Sequence, residues 1–207
     1  RGIINRFDYL NDGNMGSSKS LGVEGIWLSP IFKSPSYHKY DAMDYYDIDW
    51  RFGTEEDLKE LIALCNERNV KLILDIAINH TSSFHNWFAY FTEARTQGNE
   101  ESEYYDFYSC VKTADKLGGI EYRNIDGTDF WYECNFSGDM PELNYDNERV
   151  REEALNIAKY YLDLGVHGFR FDAVKYIYLT DTGRSVEFWE WYMSELRKIS
   201  PDIYCVG

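Results

Sequence analysis

Short apolar runs of strand length alternate with amphipathic helical patterns along most of the chain. The strand-like runs are VEGIWLS, KLILDIAI, GFRFDAV and DIYCVG. The helical patterns are GIINRFDYL, TEEDLKELIALCNERN, DNERVREEALNIAKYYLDL and SVEFWEWYMSELRKI. Strands that alternate with helices form parallel βαβ units, and strands this apolar are covered on both faces of their sheet. The order of elements therefore predicts an α/β fold with a parallel sheet.

Residues 81–144 interrupt this alternation between the second and third strand-like runs. The segment is rich in Tyr, Gly, Asp and Asn and shows little periodicity. A segment of this length inside a compact domain is typically functional or forms a small unit of its own. We therefore expect residues 1–80 and 145–207 to share one α/β core, with residues 81–144 inserted into it.

Four strands are too few for a closed parallel barrel, which needs eight strands and about 250 residues. They could form a small open sheet instead. The chain, however, begins inside a helical pattern and ends directly after a strand-like run. These ends favour an internal part of a larger barrel. We therefore expect the native N-terminus to lie upstream of Arg1, and the sequence predicts no localisation.

The balance of charge and the lengths of the apolar runs limit the classes of partner. The chain carries 36 acidic and 21 basic residues, a formal net charge of -15. Such a protein repels phosphate backbones and anionic membrane surfaces, so we expect no nucleic-acid partner. The apolar runs have only strand length, which argues against membrane insertion. Aromatic residues make up 17% of the chain, and they can form platforms for sugars or other ring-shaped ligands as well as core. Nothing in the sequence predicts the oligomeric state.

The four cysteines show neither a CxxC pair nor a zinc-like spacing. Cys65 and Cys205 fall in an apolar helix and an apolar strand, where they are best explained as core residues. Cys110 and Cys134 lie in the irregular segment, where they could pair or remain free thiols.

Polar residues gather at the carboxyl ends of the second and third strand-like runs. Asp75 lies in KLILDIAI, and Asn79 and His80 directly follow that run. Arg170 and Asp172 lie in GFRFDAV. Because side chains alternate along a strand, each pair is expected to point to one face. Ligands of parallel α/β folds bind at the carboxyl ends of the strands, so these are candidate site residues.

Arg170 and Asp172 are two charged residues in an otherwise apolar run. A charge buried without a partner is costly, whereas pairing recovers most of the loss. The two could form a structural ion pair, or Asp172 could be a carboxylate that the guanidinium keeps anionic for chemistry. An ionised carboxylate suits a nucleophile or a group that stabilises positive charge. Asp172 is therefore the strongest candidate.

Each of the other candidates has an alternative role. Asp75 could orient either loop backbone or substrate. Asn79 could be a turn residue or an oxygen ligand for calcium. A lone histidine such as His80 is more often a satisfied histidine than a catalyst, and Tyr40 could be loop packing. The residue types alone leave these alternatives open.

Five motifs follow one another along nearly the whole chain: GVEGIWLSPIF, HKYDAMDYYDIDWRFGTEEDLKEL, DIAINH, MPELN and GFRFDAVKY. They resemble, in order, the second barrel strand, the loop and helix after it, the first signature, the end of the inserted domain B and the second signature of the α-amylase superfamily, glycoside hydrolase family thirteen. Each motif alone is weak, but several in the right order are strong support. The resemblance implies a partial (β/α)8 TIM barrel, about strands two to five, with an irregular domain B inserted after the third barrel strand.

The resemblance implies roles for individual residues. Asp172 matches the catalytic nucleophile, which forms a covalent glycosyl-enzyme intermediate, and Arg170 matches the arginine that holds it. His80 matches the histidine that hydrogen-bonds the sugar in the cleaved subsite, and Tyr40 the tyrosine that stacks on the same ring. Asp75 matches an aspartate with a structural role. A retaining mechanism needs such an anionic nucleophile and platforms for a distorted sugar ring.

Further substrate contacts are expected from Asp41, Lys175 and Tyr176, of which Lys175 matches a residue on the leaving-group side. In calcium-binding family members, the positions of Asn79 and Glu142 and the backbone carbonyl of Tyr176 contribute to the metal site. Here Tyr176 and Glu142 stand where His and Asp are common. The resemblance therefore leaves Ca²⁺ binding open, and it implies no organic cofactor.

The resemblance implies a retaining glycoside hydrolase or transglycosylase that acts on α-linked glucans such as starch and maltodextrins. Its general acid would be a Glu directly after a stretch like IYCVG, and the sequence ends at Gly207. We therefore expect residues 1–207 alone to lack glycosidase activity. One alternative is a non-catalytic barrel relative that acts as a scaffold or binding module. An unrelated α/β enzyme for phosphorylated ligands is disfavoured, because neither GxGxxG nor a P-loop motif occurs.

Overall fold

A computed structural model describes residues 1–14 and 16–207 of the chain. Its α-helices are α1 (Phe7–Leu10), α2 (Glu55–Glu67), α3 (Asn86–Gln97), α4 (Glu148–Leu164) and α5 (Thr182–Ile199). Its strands are β1 (Gly25–Leu28), β2 (Phe32–Lys33), β3 (Asp44–Ile48), β4 (Lys71–Ile76), β5 (Cys110–Lys112), β6 (Tyr122–Asn124), β7 (Phe130–Glu133), β8 (Gly168–Phe171) and β9 (Tyr204–Val206). Short 3₁₀ helices cover Ile4–Arg6, Thr113–Asp115 and Val174–Tyr178. In this described part of the chain, none of the helices has both the length and the apolar character needed to cross a bilayer.

The central sheet contains β1, β4, β8 and β9 in that order, and all neighbouring strands are parallel. Trp27, Ile73, Gly168 and Tyr204 form one register row across the four strands. The sheet is the centre of the hydrophobic core, to which β4 and β8 contribute fully buried aliphatic and aromatic side chains. This topology confirms the predicted α/β fold with a parallel sheet.

The helices that connect these strands begin and end where the local sequence predicts. At the start of α2, the side chain of Thr54 accepts from the backbone N–H of Asp57, whose carboxylate accepts from the N–H of Thr54. This reciprocal capping box satisfies two backbone donors that the helix leaves free. α4 begins after Asn147, whose side chain caps it, and ends at Gly165 with a left-handed φ of 104°. Glycine adopts that conformation without a Cβ clash, so the chain can turn toward β8.

Two segments differ in shape from the sequence prediction. GIINRFDYL forms a 3₁₀ turn followed by the single turn of α1, instead of one continuous helix. GFRFDAV remains a strand only as far as Phe171. Ala173 then adopts a left-handed φ of 54°, which takes the chain out of the sheet and into the 3₁₀ helix Val174–Tyr178.

The second strand-like run also leaves the sheet earlier than predicted. β4 ends at Ile76, and the hydroxyl of Tyr45 donates to the carbonyl oxygens of Ala77 and His80 at 2.8 and 2.7 Å. These hydrogen bonds take the place of a strand ladder beyond β4. The prediction that Asn79 shares a strand face with the end of β4 is therefore wrong.

Two further units lie beside the carboxyl ends of the central strands. β2 and β3 form an antiparallel hairpin between β1 and α2, and residues 34–43 connect its strands. Residues 81–144 contain α3 and a three-stranded antiparallel sheet in the order β5-β7-β6. A bridge between His80 and Glu142 joins this segment to the chain that leaves β4, and a bridge between Tyr108 and Leu143 lies within the segment. Both cysteines of the segment, Cys110 and Cys134, are free thiols.

The first residue before α3 offers a test of the effect of burial. His85 is the N-cap of α3, and its Nδ1 accepts from the backbone N–H of Trp87 at 3.1 Å. Burial lowers the pKa of His85 from 6.5 to about 4. The folded protein therefore holds His85 in its neutral form at pH values where the unfolded chain binds a proton.

We predict that His85 lowers the free energy of unfolding as the pH falls from about 6.5 to about 4, because the unfolded state gains a proton that the folded state excludes. His85→Asn keeps a capping acceptor but removes the titration. Between pH 6.5 and pH 4, the unfolding free energy of the His85→Asn variant should fall by less than that of the wild type, and the difference should reach up to about 3 kcal/mol. Urea unfolding at several pH values measures both slopes. Equal slopes would contradict the prediction, whatever the difference in absolute stability.

Candidate active site

Three charged side chains meet where β4 and β8 end. Asp75 of β4 and Arg170 of β8 are direct register partners in the parallel sheet. Asp172 follows β8, and its backbone N–H donates to the carbonyl of Ile76 at 2.9 Å. The sheet register therefore brings two carboxylates and one guanidinium together at the carboxyl ends of neighbouring strands.

One nitrogen of Arg170 binds both carboxylates. Nη1 donates to Oδ1 of Asp172 at 2.5 Å and to the two oxygens of Asp75 at 3.2 and 3.3 Å. Burial acts to lower the pKa of Arg170, but the two carboxylates outweigh it and raise that pKa. The guanidinium thus stays charged and offsets the repulsion between two neighbouring anions. This geometry confirms that Arg170 and Asp172 pair, as their spacing predicts.

The two carboxylates differ in exposure. The side chain of Asp75 has no exposed surface, whereas 26% of the Asp172 side chain is exposed. Oδ2 of Asp75 also accepts from Nε1 of Trp27 and from the hydroxyl of Tyr40, each at 3.1 Å. Burial raises the pKa of Asp75, and Arg170 and Tyr40 act against that rise. Asp75 is therefore a hub that orients its neighbours, and Asp172 is the carboxylate that a ligand can reach.

Tyr40 is held at three points. Its hydroxyl donates to Asp75, its backbone N–H donates to Nδ1 of His38 at 3.2 Å, and its carbonyl accepts from Nε2 of His80 at 3.1 Å. Burial raises the pKa of Tyr40 to about 12, and the charge of Asp75 adds to the shift. The phenol therefore keeps its proton and remains a donor to Asp75.

His80 is a buried, neutral imidazole at the edge of this network. Because a carbonyl oxygen can only accept, Nε2 of His80 carries the proton in its bond to Tyr40. Burial lowers the pKa of His80 to about 4. Its Nδ1 is buried and has no hydrogen-bond partner among the described residues. His80 therefore uses one ring nitrogen to hold the backbone of Tyr40, and its other ring nitrogen is a buried acceptor without a partner among the described residues.

An aromatic pair lies next to His80. The ring of Phe136 is 5.3 Å from the ring of His80 and 4.4 Å from the ring of Tyr176, measured between centroids. Phe136 is 46% exposed. The two aromatic rings, one from residues 81–144 and one from the 3₁₀ helix after β8, thus form an accessible apolar surface beside the polar network.

The structure joins five of the sequence-predicted residues directly. Hydrogen bonds connect Asp172, Arg170, Asp75, Tyr40 and His80 in one chain of contacts. Tyr176 reaches the same place through its ring.

Asp41 and Lys175 have no hydrogen bond to that network in the described part of the chain. The carboxylate of Asp41 is buried and accepts from the hydroxyls of Ser34 and Ser36, which organises its own loop. Lys175 is exposed, with Nζ 5.0 Å from the ring centroid of Tyr176. Their predicted roles in substrate binding stay predictions.

Sequence reasoning missed Trp27 and Phe136. Trp27 donates to Asp75 and places its ring 5.5 Å from the guanidinium of Arg170. Its position near the carboxyl end of a predicted strand was a signal that could have found it. Phe136 lies in the irregular segment, where spacing carries no information about which side chains face the site.

The predicted calcium residues lie together in a second, adjoining cluster. Nδ2 of Asn79 donates to Glu142 at 3.0 Å, while Oδ1 of Asn79 is buried and has no partner among the described residues. Burial raises the pKa of Glu142 to about 8, against hydrogen bonds from Asn79 and Asn135 that lower it. Glu142 lines a cavity of about 180 Å³ together with Glu133 and Tyr176.

These donors fit a hard cation. Ca²⁺ binds amide, carbonyl and carboxylate oxygens, and a positive charge would relieve the cost of burying an ionised Glu142. Within residues 1–14 and 16–207, no group of three or more His, Cys, Asp or Glu side chains could hold a metal ion. A cation here would therefore depend on the carboxylate of Glu142, the amide oxygen of Asn79 and backbone carbonyls.

A parallel sheet covered by helices, with polar residues collected at the carboxyl ends of its strands, is common to α/β-barrel and open α/β proteins. Residues 1–207 match the family model described as Alpha amylase, catalytic domain. The chain belongs to the α-amylase family. Its four-stranded sheet is part of a (β/α)8 barrel, which confirms the predicted partial TIM barrel.

Individual relatives support the same assignment. The chain is 41% identical over 207 residues to Alpha-amylase 3 of Dictyoglomus thermophilum. This match covers 100% of this chain and 38% of that protein. It is 35% identical over 208 residues to the 4-alpha-glucanotransferase of Thermotoga maritima, covering 96% of this chain and 43% of that protein. The solved structure of Eubacterium rectale Amy13B superposes with a TM-score of 0.87 at 36% identity, covering 100% of this chain and 39% of the other. The chain thus spans about 40% of the length of these relatives.

The hub role of Asp75 can be tested by one substitution. Asp75→Asn replaces an acceptor oxygen with an NH₂ group that faces donors from Arg170, Trp27 and Tyr40. We predict a loss of about 3 kcal/mol or more in the free energy of unfolding, because the fully buried carboxylate of an ion pair is removed and the partly exposed guanidinium keeps only Asp172 as a charged partner. Urea unfolding measures the loss.

The control for this experiment is Asp163→Asn. Asp163 forms an exposed ion pair with Lys159 on α4, where a change of less than about 1 kcal/mol is expected. Equal effects of the two substitutions would contradict the assignment of Asp75 as a buried hub.

Proposed function

We propose that the whole protein is a retaining glycoside hydrolase or transglycosylase that acts on α-linked glucans, with Asp172 as the nucleophile. The observation that carries this proposal is the asymmetry of the two carboxylates around Arg170. Asp172 is partly exposed and bound by the guanidinium, whereas Asp75 is buried and engaged on both oxygens. The relatives named alpha-amylase and 4-alpha-glucanotransferase support the reaction class and the substrate class.

In this proposal, residues of this chain supply the nucleophile for the first half of the reaction. Oδ1 of Asp172 binds Arg170, so Oδ2 is the oxygen available to attack the anomeric carbon. The bond from Asp172 to that carbon forms as the bond to the leaving oxygen breaks, and the leaving oxygen takes a proton from a carboxylic acid. Water or a second sugar hydroxyl then attacks the anomeric carbon of the glycosyl-enzyme ester and gives its proton to the carboxylate that served as the acid, and Asp172 is released as a carboxylate. Water gives hydrolysis, and a sugar hydroxyl gives transglycosylation.

The proton donor of this reaction is a separate residue. Asp75 is unsuited to the role, because its side chain has no exposed surface and both oxygens accept hydrogen bonds. We propose that the donor is a Glu outside residues 1–207, since the family resemblance places the general acid directly after a stretch like IYCVG. The 207-residue chain tested by itself should accordingly show no glycosidase activity.

The neighbouring rings would hold the sugar. Tyr40 offers a ring whose hydroxyl is bound to Asp75 and whose backbone is held by two further hydrogen bonds. We propose that His80, whose Nδ1 has no partner among the described residues, accepts from a sugar hydroxyl. The pair of Phe136 and Tyr176 forms an apolar surface on which a second pyranose ring can pack. We propose that Lys175 contributes a polar contact at the rim of this cleft, and that Asp41 contributes to substrate binding through the loop that it organises. The default substrates are α-1,4-linked glucans, starch and maltodextrins.

The nucleophile can be identified by covalent labelling of the full-length protein. A cyclitol epoxide or a fluoroglycoside should modify Asp172, because a retaining mechanism passes through an ester at that carboxylate. Asp172→Asn should lose the label and roughly 10³-fold or more in kcat. Peptide mass spectrometry locates the label, and Asp163→Asn is the control for a surface carboxylate. Labelling at another carboxylate, or no labelling with no turnover, would contradict the proposal and favour a scaffold.

We also propose that Ca²⁺ binds between Asn79 and Glu142. When bound, the ion would supply positive charge to the buried carboxylate and fix the end of residues 81–144 against the chain after β4. Asn79 would contribute Oδ1, Glu142 its carboxylate and Tyr176 a backbone carbonyl.

Thermal unfolding with Ca²⁺, with Mg²⁺ and with a chelator tests this site. Ca²⁺ at about 100 times its Kd should raise Tm by about 5–10 °C, and Mg²⁺ should do less, since it demands a smaller octahedral shell. Glu142→Gln should abolish the Ca²⁺ effect. An equal Tm in Ca²⁺ and chelator would contradict the proposal without affecting the role of Asp172.

A further inference from the structure

The loop that carries Tyr40 is anchored by an ion pair that is buried on both sides. Nζ of Lys39 lies 2.7 Å from Oδ2 of Asp49 and donates to the carbonyl of Ser34 at 2.9 Å. Each of the two charged side chains is only 3% exposed. Every other ion pair among the described residues has at least one side chain that is more exposed. Lys39 and Asp49 thus join the loop of the β2–β3 hairpin to the chain just beyond β3.

A buried ion pair is an inefficient way to stabilise a fold if stability is its only role. Removing two charges from water costs about as much as their attraction returns, and a well-packed apolar pair often stabilises more. Burial would raise the pKa of Asp49, yet the hydrogen bonds from Lys39 and Arg51 lower it to about 2, so it stays ionised. A buried ion pair does, however, fix the position and direction of the two segments that it joins.

The conformation that this ion pair fixes is the backbone turn at Lys39. Lys39 has a left-handed φ of 69°, and the only other non-glycine residues with positive φ in the described part of the chain are Asn69 and Ala173. A residue with a Cβ is strained in this conformation, where glycine would not be. The strain persists when surrounding contacts determine the conformation. Here those contacts are the ammonium group of Lys39 and its backbone N–H, which donates to the hydroxyl of Ser36 at 3.1 Å.

The strained turn comes directly before Tyr40. The direction in which the chain leaves Lys39 sets where the Tyr40 hydroxyl and carbonyl lie. The hydroxyl contacts Asp75 and the carbonyl contacts Nε2 of His80, each at 3.1 Å. A small rotation at Lys39 would move both contacts together, and displacements of about 1 Å at reacting groups can cost up to about 100-fold in rate.

We propose that Lys39 is a positioning residue: its buried ion pair with Asp49 holds the left-handed turn that aims Tyr40 at Asp75 and His80. The rate part of this inference rests on the proposed function, because the turnover of an α-glucan is one of its two readouts. The alternative is that the pair only stabilises the hairpin. The two alternatives differ in whether rate and stability change together.

The rate test compares variants of the full-length protein. Lys39→Met keeps the apolar stem and removes the charge, and it should lower both Tm and kcat/KM, the latter roughly 10- to 100-fold. Lys39→Met combined with Asp49→Asn leaves no unpaired buried charge, so Tm should recover, while kcat/KM should stay low. Recovery of kcat/KM along with Tm would overturn the proposal.

Two matched variants complete the comparison. Lys33 forms an exposed ion pair with Asp47 on the same hairpin, with both side chains 53% exposed, so Lys33→Met should change neither Tm nor kcat/KM measurably. In a Tyr40→Ala background, Lys39→Met should cause little further loss of kcat/KM, because its effect acts through Tyr40. Additive losses would overturn the proposal.

A second readout is independent of turnover. The Nε2–H proton of His80 donates to the Tyr40 carbonyl, and residues 1–207 contain only 4 histidines, so NMR with ¹⁵N-labelled histidine can follow this proton. In Lys39→Met with Asp49→Asn, this proton should exchange with water at least about tenfold faster than in the wild type, whereas Lys33→Met should leave it unchanged. Unchanged exchange would overturn the proposal. A wild-type protein with no activity on α-glucans would refute the proposed function, and the exchange rate would still decide the role of Lys39.

Discussion

The arrangement of polar side chains at the carboxyl end of this sheet depends on the guanidinium of Arg170. The guanidinium lies between Asp75 and Asp172, two carboxylates that would repel each other and resist burial without a positive charge between them. The parallel register of β4 and β8 places it there, since Asp75 and Arg170 are direct partners across the strands. The charge of Arg170 therefore stabilises both a buried carboxylate, Asp75, that organises the site and a partly exposed carboxylate, Asp172, that can react.

The site is assembled from elements that are far apart in sequence. Trp27 from β1 and Tyr40 from the β2–β3 hairpin both donate to Asp75, so the hub receives donors from three parts of the chain. The hairpin loop is in turn fixed by the buried pair of Lys39 and Asp49. Buried, satisfied polar networks of this kind specify one arrangement instead of many. The stability of the fold and the geometry of the site are consequently set by the same hydrogen bonds.

The sequence predicted those parts that depend on local pattern. The alternation of apolar runs and helices predicted the parallel sheet, and the spacing of two residues between Arg170 and Asp172 predicted their contact, seen at 2.5 Å. Contacts that depend on register or on irregular backbone were out of reach. The pairing of Asp75 with Arg170 requires the alignment of two strands, and the position of Phe136 requires the path of an aperiodic segment. The early end of β4 depends on the hydroxyl of Tyr45, a side chain from another element that replaces the strand ladder.

The most direct test of this account is a crystal structure of the full-length wild-type protein with a thio-linked maltooligosaccharide, which binds like an α-glucan but resists cleavage. The account predicts an anomeric carbon about 3–3.5 Å from the free oxygen of Asp172, with Arg170 still bound to both carboxylates. The sugar should lie against Tyr40, within hydrogen-bond reach of His80. A sugar bound elsewhere, or an Asp172 carboxylate turned away from the cleft and from Arg170, would contradict the account.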